Sequence, residues 1–278
     1  MPVEKNKSLI KKSFLQTGNN LPLTTKYSFK HPTIGDVLAI DSIHNGIYSE
    51  DIYFSMINIF LTDPYLYMVY LDDHGIDYEK TTAYEVFLLL LKDYFKNIEN
   101  VKDKYDKEQY EILAKNNIYY QAFKFFIGIE SFYIATCEGN EVIANDNHLV
   151  INSEIYEYIY QFVKMMNGIQ DGIRINPADE FAKKILIEDE REKIKKQVNR
   201  KINDKTDNNR LGNLISSVTW GCSGGITPFN RNNLHIYDLM EAIERTDKVL
   251  RYNHTMSAIH SGFVDTKKID FEELRWFN

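Results

Sequence analysis

Val86-Phe87-Leu88-Leu89-Leu90-Leu91 is an unbroken apolar run that follows directly on Thr82-Ala83-Tyr84-Glu85. The tetrapeptide has the form of a capping box, in which a Thr hydroxyl and a Glu carboxylate reciprocally satisfy backbone amides at a helix start. The pair predicts a helix over 83–96. Six apolar residues fall far short of the roughly twenty that cross a bilayer, so the run must be buried on nearly all sides by protein. That requires neighbouring layers, and 278 residues with 44% hydrophobic and 13% aromatic content supply them, as one large domain or two smaller ones.

Further helices are punctuated around this one. Ser49 is placed to cap a segment with Ile52, Met56, Ile59 and Phe60 at helical spacing. Asp63 as N-cap, Pro64 at the first helical position and Gly75 as stop bracket a helix over 64–74. The charged stretch 97–108 breaks the pattern, and apolar residues return over 118–129. Two short strands, 132–135 and 142–143, flank the turn residues Glu138-Gly139-Asn140-Glu141, and 148–151 adds a third. Ser153 then caps a helix whose apolar face is Ile155, Ile159, Phe162, Val163 and Met166, ended by Gly168.

The flanks differ in character. Residues 1–33 are polar and carry the loop signals Gly18-Asn19-Asn20 and Leu21-Pro22, as expected of an arm or a poorly ordered lead-in, with ordering on a partner left open. Asn176-Pro177 opens a long charged helix with a narrow stripe of Ile187, Ile194, Val198 and Ile202. From 176 to 210 it has ten Lys/Arg against eight Asp/Glu, and the block Glu188-Asp189-Glu190 offsets its basic end, which favours a solvated face over a nucleic-acid surface. Ile236, Leu239, Met240, Ile243 and Leu250, continued by Tyr252, Met256, Ile259 and Phe263, mark a last helical face, with Gly262 as stop. The expected fold is mainly α (α+β): an N-terminal arm 1–33, a helical domain 34–170 with a small β-hairpin, a charged bridging helix and linker 171–209, and a C-terminal helical domain 210–278.

Residue chemistry excludes more than it proposes. A net charge of −7 and a pI near 5.6 give no overall drive toward a polyanion or an anionic membrane. Residues 1–15 are basic without the apolar stretch of a secretory signal, so the expected compartment is the cytoplasm, with Cys137 and Cys222 as free thiols. Asp72-Asp73-His74 with Asp77 has the side-chain types of a metal or acid–base site. Adjacent helical residues diverge by about 100°, however, and Gly75-Ile76 interrupts the helix, which favours a solvated helix end. His235, His254 and His260 do not share a helical face at ligand spacing. Cys222 has no identifiable base, and Gly221-Cys222-Ser223-Gly224-Gly225 lacks the lysine of a phosphate loop. The expectation is a non-enzyme with no catalytic residue, no cofactor and no metal.

Nineteen tyrosines point instead to protein contacts, since Tyr156, Tyr158 and Tyr160 alternate and cannot all face one core. Trp220, Phe229, Trp276 and Phe277 are the residues expected to form a partner-binding surface.

Three C-terminal pieces carry a resemblance: Asn233-Leu234-His235-Ile236-Tyr237-Asp238-Leu239, Arg251-Tyr252-Asn253-His254-Thr255-Met256, and Ser261-Gly262-Phe263-Val264-Asp265-Thr266-Lys267-Lys268-Ile269. Tyr53-Phe54-Ser55-Met56, Ile76-Asp77-Tyr78 and Tyr84-Glu85-Val86-Phe87 add to it. Together they resemble the tail-assembly chaperone-type proteins of tailed phages and prophages of low-GC Gram-positive bacteria. The resemblance implies a non-catalytic protein, cytoplasmic in the infected host, that keeps the tape-measure protein soluble while tail tube subunits gather. It transfers no residue-level site. A structural tail or baseplate protein and a nucleic-acid-associated regulator are the alternatives, and self-association is open.

Overall fold

The computed structural model describes residues 9–40, 49–100, 117–170, 174–203, 210–221, 225–262 and 269–271. Their order is α1 (Lys12–Leu15), β1 (Leu21–Pro22), β2 (Ser28–Phe29), α2 (Ile34–Leu38), α3 (Ser49–Asn58), α4 (Met68–Asp73), α5 (Ala83–Asn100) and α6 (Ile118–Ile127). There follow β3 (Tyr133–Cys137), β4 (Asn140–Ala144), β5 (Val150–Ile151), α7 (Ser153–Met166), α8 (Glu180–Asn203), α9 (Arg210–Gly221) and α10 (Ile236–His260). The protein is predominantly helical with two small antiparallel sheets, β1-β2 and β3-β4-β5, in agreement with the expected class.

The capping box is formed as the sequence predicts. Thr82 N–H donates to Glu85 at 2.7 Å and Glu85 N–H to the Thr82 hydroxyl at 3.2 Å, and α5 buries Tyr84, Val86, Phe87, Leu88 and Leu91. Around α5 lies an aromatic core in which Phe29 stacks on Phe126 (4.7 Å between centroids) and Phe123 on Phe132 (4.2 Å). Fully burying rings of this size contributes about 1.5–3 kcal/mol each. The tyrosines inside have partners: Tyr53 donates to Asn167 at 2.9 Å, and Tyr84 to the Ile151 carbonyl at 2.9 Å, fastening α5 to the sheet. Tyr156 meets the Thr62 hydroxyl at 2.8 Å, and Thr62 donates to the Ala83 carbonyl at 2.7 Å. Tyr156 and Tyr160 share the buried face of α7 while Tyr158 is exposed, as their alternation requires.

Several expectations need correction. Residues 9–33 do not behave as an arm: Leu15, Leu21 and Phe29 are buried in the main core. Apolar residues spaced among polar ones hid this, because each two-residue strand is too short to show a period. Pro64 does not begin a helix; residues 64–67 form turns, with Asp63 accepting from Tyr65 N–H at 3.1 Å, and α4 starts at Met68. Asn152 rather than Ser153 caps α7, accepting from Ile155 N–H at 2.9 Å. Asn97 to Asn100 prolong α5 instead of breaking it, and the rest of the charged stretch lies outside the described residues. The hairpin turn is tighter than expected, with Glu138 and Gly139 both at positive φ.

Two segments about two hundred residues apart in sequence meet. Ile34 N–H donates to the Leu234 carbonyl at 2.8 Å and Ile236 N–H to the Pro32 carbonyl at 3.0 Å, around a Thr33–His235 bridge. The rings of His31 and His235 lie 4.4 Å apart at this seam, and a Cβ on Gly18 would stand 2.5 Å from His235 Nε2. Leu211, Ile215 and Val218 of α9 and Ile236, Tyr237 and Leu239 of α10 belong to the same buried cluster as Phe29 and Phe87.

Candidate interaction surface

The acidic patch is committed to ion pairs. Arg191 on α8 reaches Asp73 at 2.8 Å and Asp72 at 3.2 Å, Lys183 binds Asp77, and Lys183 meets Glu79 at 2.9 Å. The hydrogen bond from Arg191 lowers the Asp73 pKa, and that from Lys183 lowers Asp77 to about 2. His74 turns away to the Tyr70 carbonyl (2.8 Å) and Asp93 (3.5 Å). Among the described residues no group of three or more His, Cys, Asp or Glu side chains is placed to hold a metal ion. His235 is spent on the seam with His31, whereas His254 and His260 are exposed on α10. Cys137 is exposed at the end of β3, and Cys222 lies outside the described residues.

Trp220, at the end of α9, is 76% exposed, and Phe229, in the turn before α10, is 95% exposed. Leaving such large apolar surfaces in water forgoes the stabilisation that their burial would contribute. Trp276 and Phe277 lie outside the described residues.

A groove of about 630 Å³ opens where α3, the end of α7, α9 and the first half of α10 converge. Its apolar walls are Phe54, Ile57, Met165, Leu214, Met240 and Ile243. Charges rim it in helix-spaced pairs, Glu244 with Lys248 at 2.7 Å and Glu241 with Arg245 at 3.6 Å. The hydrogen bond from Lys248 lowers the Glu244 pKa. The side chains of α10 that pack on the core run from Ile236 to Ile243 among the described residues. Beyond them the stripe of Val249, Tyr252, Met256 and Ile259 is half-buried along the helix. The stripe is readable as a helical period; the groove is not, because its lining comes from α1, α3, the end of α7, α9 and α10.

Residues 201–278 match the family model described as the YomV second domain. That domain family is phage-associated. The matched region takes in the end of α8, all of α9 with Trp220, the turn with Phe229, and α10, so one wall of the groove lies within the matched residues. No curated protein and no solved structure matches the chain. Among the described residues no helix is long and apolar enough to cross a membrane.

Proposed function

We propose that the chain is a non-enzymatic phage tail-assembly chaperone that binds the tape-measure protein and recruits tail tube subunits in the cytoplasm of the infected host. The observation that carries this reading is the coincidence of the phage-associated domain match with exposed Trp220 and Phe229 and with the apolar groove wall of α10. A tape-measure protein offers long helical apolar stripes, and a groove walled by Met165, Met240 and Ile243 suits them because unbranched methionine adapts to varied shapes. Exposed aromatics would anchor the client until tube subunits displace them. The commitment of Lys183 and Arg191 to carboxylates weighs against the nucleic-acid reading.

The test is co-expression of the intact chain with the tape-measure protein of the same phage, scoring soluble client and co-purification. Point variants suit the test better than truncation, since deleting α9 and α10 would remove part of the shared core. A client that stays insoluble with and without the chain would overturn the reading. Stoichiometric presence of the chain in purified particles would move it to a structural tail component.

A further inference from the structure

We infer that the surface made by α4, the turn after it and the first turns of α5 is a docking site for a basic amphipathic helix, and that α8 is its exchangeable occupant in cis. Among the described side chains of α8, only Lys183 and Ile187 are buried. Ile187 seats in a small cluster with Leu71, Tyr78 and Val86, separate from the main core. Lys183 and Arg191 flank it, each gripping two carboxylates of this surface, and Arg191 also meets Glu188 of its own helix at 3.4 Å. Positions 183, 187 and 191 are four apart and form one stripe of a helix. The recognition element is therefore cation, apolar residue, cation at four-residue spacing. On the opposite side of α8, Phe181 and Ile185 are 73% and 47% exposed.

Charge identifies the occupant. Asp72, Asp73, Asp77 and Glu79 bring four negative charges to meet the two positive charges of Lys183 and Arg191, and exposed Lys80 (3.3 Å from Asp77) adds one. The sum is −4 + 2 + 1 = −1, so the surface retains an excess of acid. α8 in turn carries Glu188, Asp189 and Glu190 beside its own docking stripe. A helix with the same stripe and no such acids complements the surface better than α8 does. The Tyr78 hydroxyl supplies a second, independent sign: it is buried in the site with no hydrogen-bond partner among the described residues, an unmet donor that an incoming side chain can satisfy. This inference stands apart from the tail-assembly reading and does not depend on the client.

The probe is a labelled peptide of residues 179–203 carrying E188A, D189A and E190A, titrated against the full chain by fluorescence anisotropy. Two chains are used, the wild type and K183E/R191E, whose α8 stripe is disarmed. The peptide is expected to bind the disarmed chain at least tenfold more tightly than the wild type, because the cis competitor is gone. Affinity should fall at least tenfold between about 50 and 500 mM salt, and the same loss should follow D73N/D77N in the disarmed chain. In the wild type, saturating peptide should speed amide exchange over 180–197. Failure to bind the disarmed chain, or binding indifferent to D73N/D77N, overturns the inference. So does a loss of helicity in K183E/R191E that extends beyond α8.

Discussion

The Nδ1–H of His235 donates to the carbonyl oxygen of His31 at 2.9 Å, across 204 positions of sequence. The His31 ring is itself buried between His235 and Phe162, and neither ring nitrogen has a hydrogen-bond partner among the described residues. Burial, with His235 as a lesser cause, lowers its pKa from 6.5 to about 4. The unfolded chain therefore takes up a proton that the folded chain refuses as pH falls below about 6.5, and stability drops until the folded pKa near 4 is reached. Over that window the loss is about 2–3 kcal/mol. Unfolding followed from pH 7.5 to 4 in wild type and His31→Leu should show the extra loss only in the wild type; parallel curves would refute it.

Gly18 has a φ of +69° and faces the His235 ring, so Gly18→Ala combines strain with a clash. Gly139 has a φ of +81° with nothing within 4 Å of its missing Cβ. Gly139→Ala should cost about 1 kcal/mol, the conformational part alone, and Gly18→Ala about 2–4 kcal/mol by urea denaturation. Adding His235→Ala should recover part of the Gly18→Ala loss.

Tyr156, Thr62 and the Ala83 carbonyl form a buried hydrogen-bonded chain linking α7 to the start of α5. Tyr156→Phe should cost about 1–2 kcal/mol, with a double-mutant cycle against Thr62→Val revealing coupling. Additive losses would mean that the hydroxyls act separately.

Trp220→Ser and Phe229→Ser change exposed side chains, so stability should move by less than about 0.5 kcal/mol. On the proposed function, co-expressed client should nonetheless shift to the pellet. A soluble client with both residues replaced would remove them from the binding surface.

What could be read from the sequence was local. The Thr82–Glu85 capping box, the hairpin turn and the α10 stripe each declare themselves within a few residues, because capping geometry and periodicity are short-range. The partners of the acidic patch could not be read this way: Lys183 lies 106 residues from Asp77, and charge composition records no pairing. The stretch 9–33 hides its role for a related reason, since its apolar residues become core only when α6 and α7 close over Phe29. Of the expected binding residues, Trp220 and Phe229 were visible as large aromatics beside turn chemistry, but nothing local tells an exposed aromatic from a buried one.

The seam between residues 31–34 and 234–236 also imposes an order of events on the ribosome. Pro32 and Ile34 emerge early, yet the backbone groups that complete them are about two hundred residues behind, roughly ten to forty seconds at ordinary elongation rates. From the emergence of α7, whose Phe162 packs on Phe29, until Leu234 is made, the nascent chain carries an aromatic core with one edge unsealed. A translational pause before Leu234 would lengthen the exposure, and release of α10 is the step that closes it.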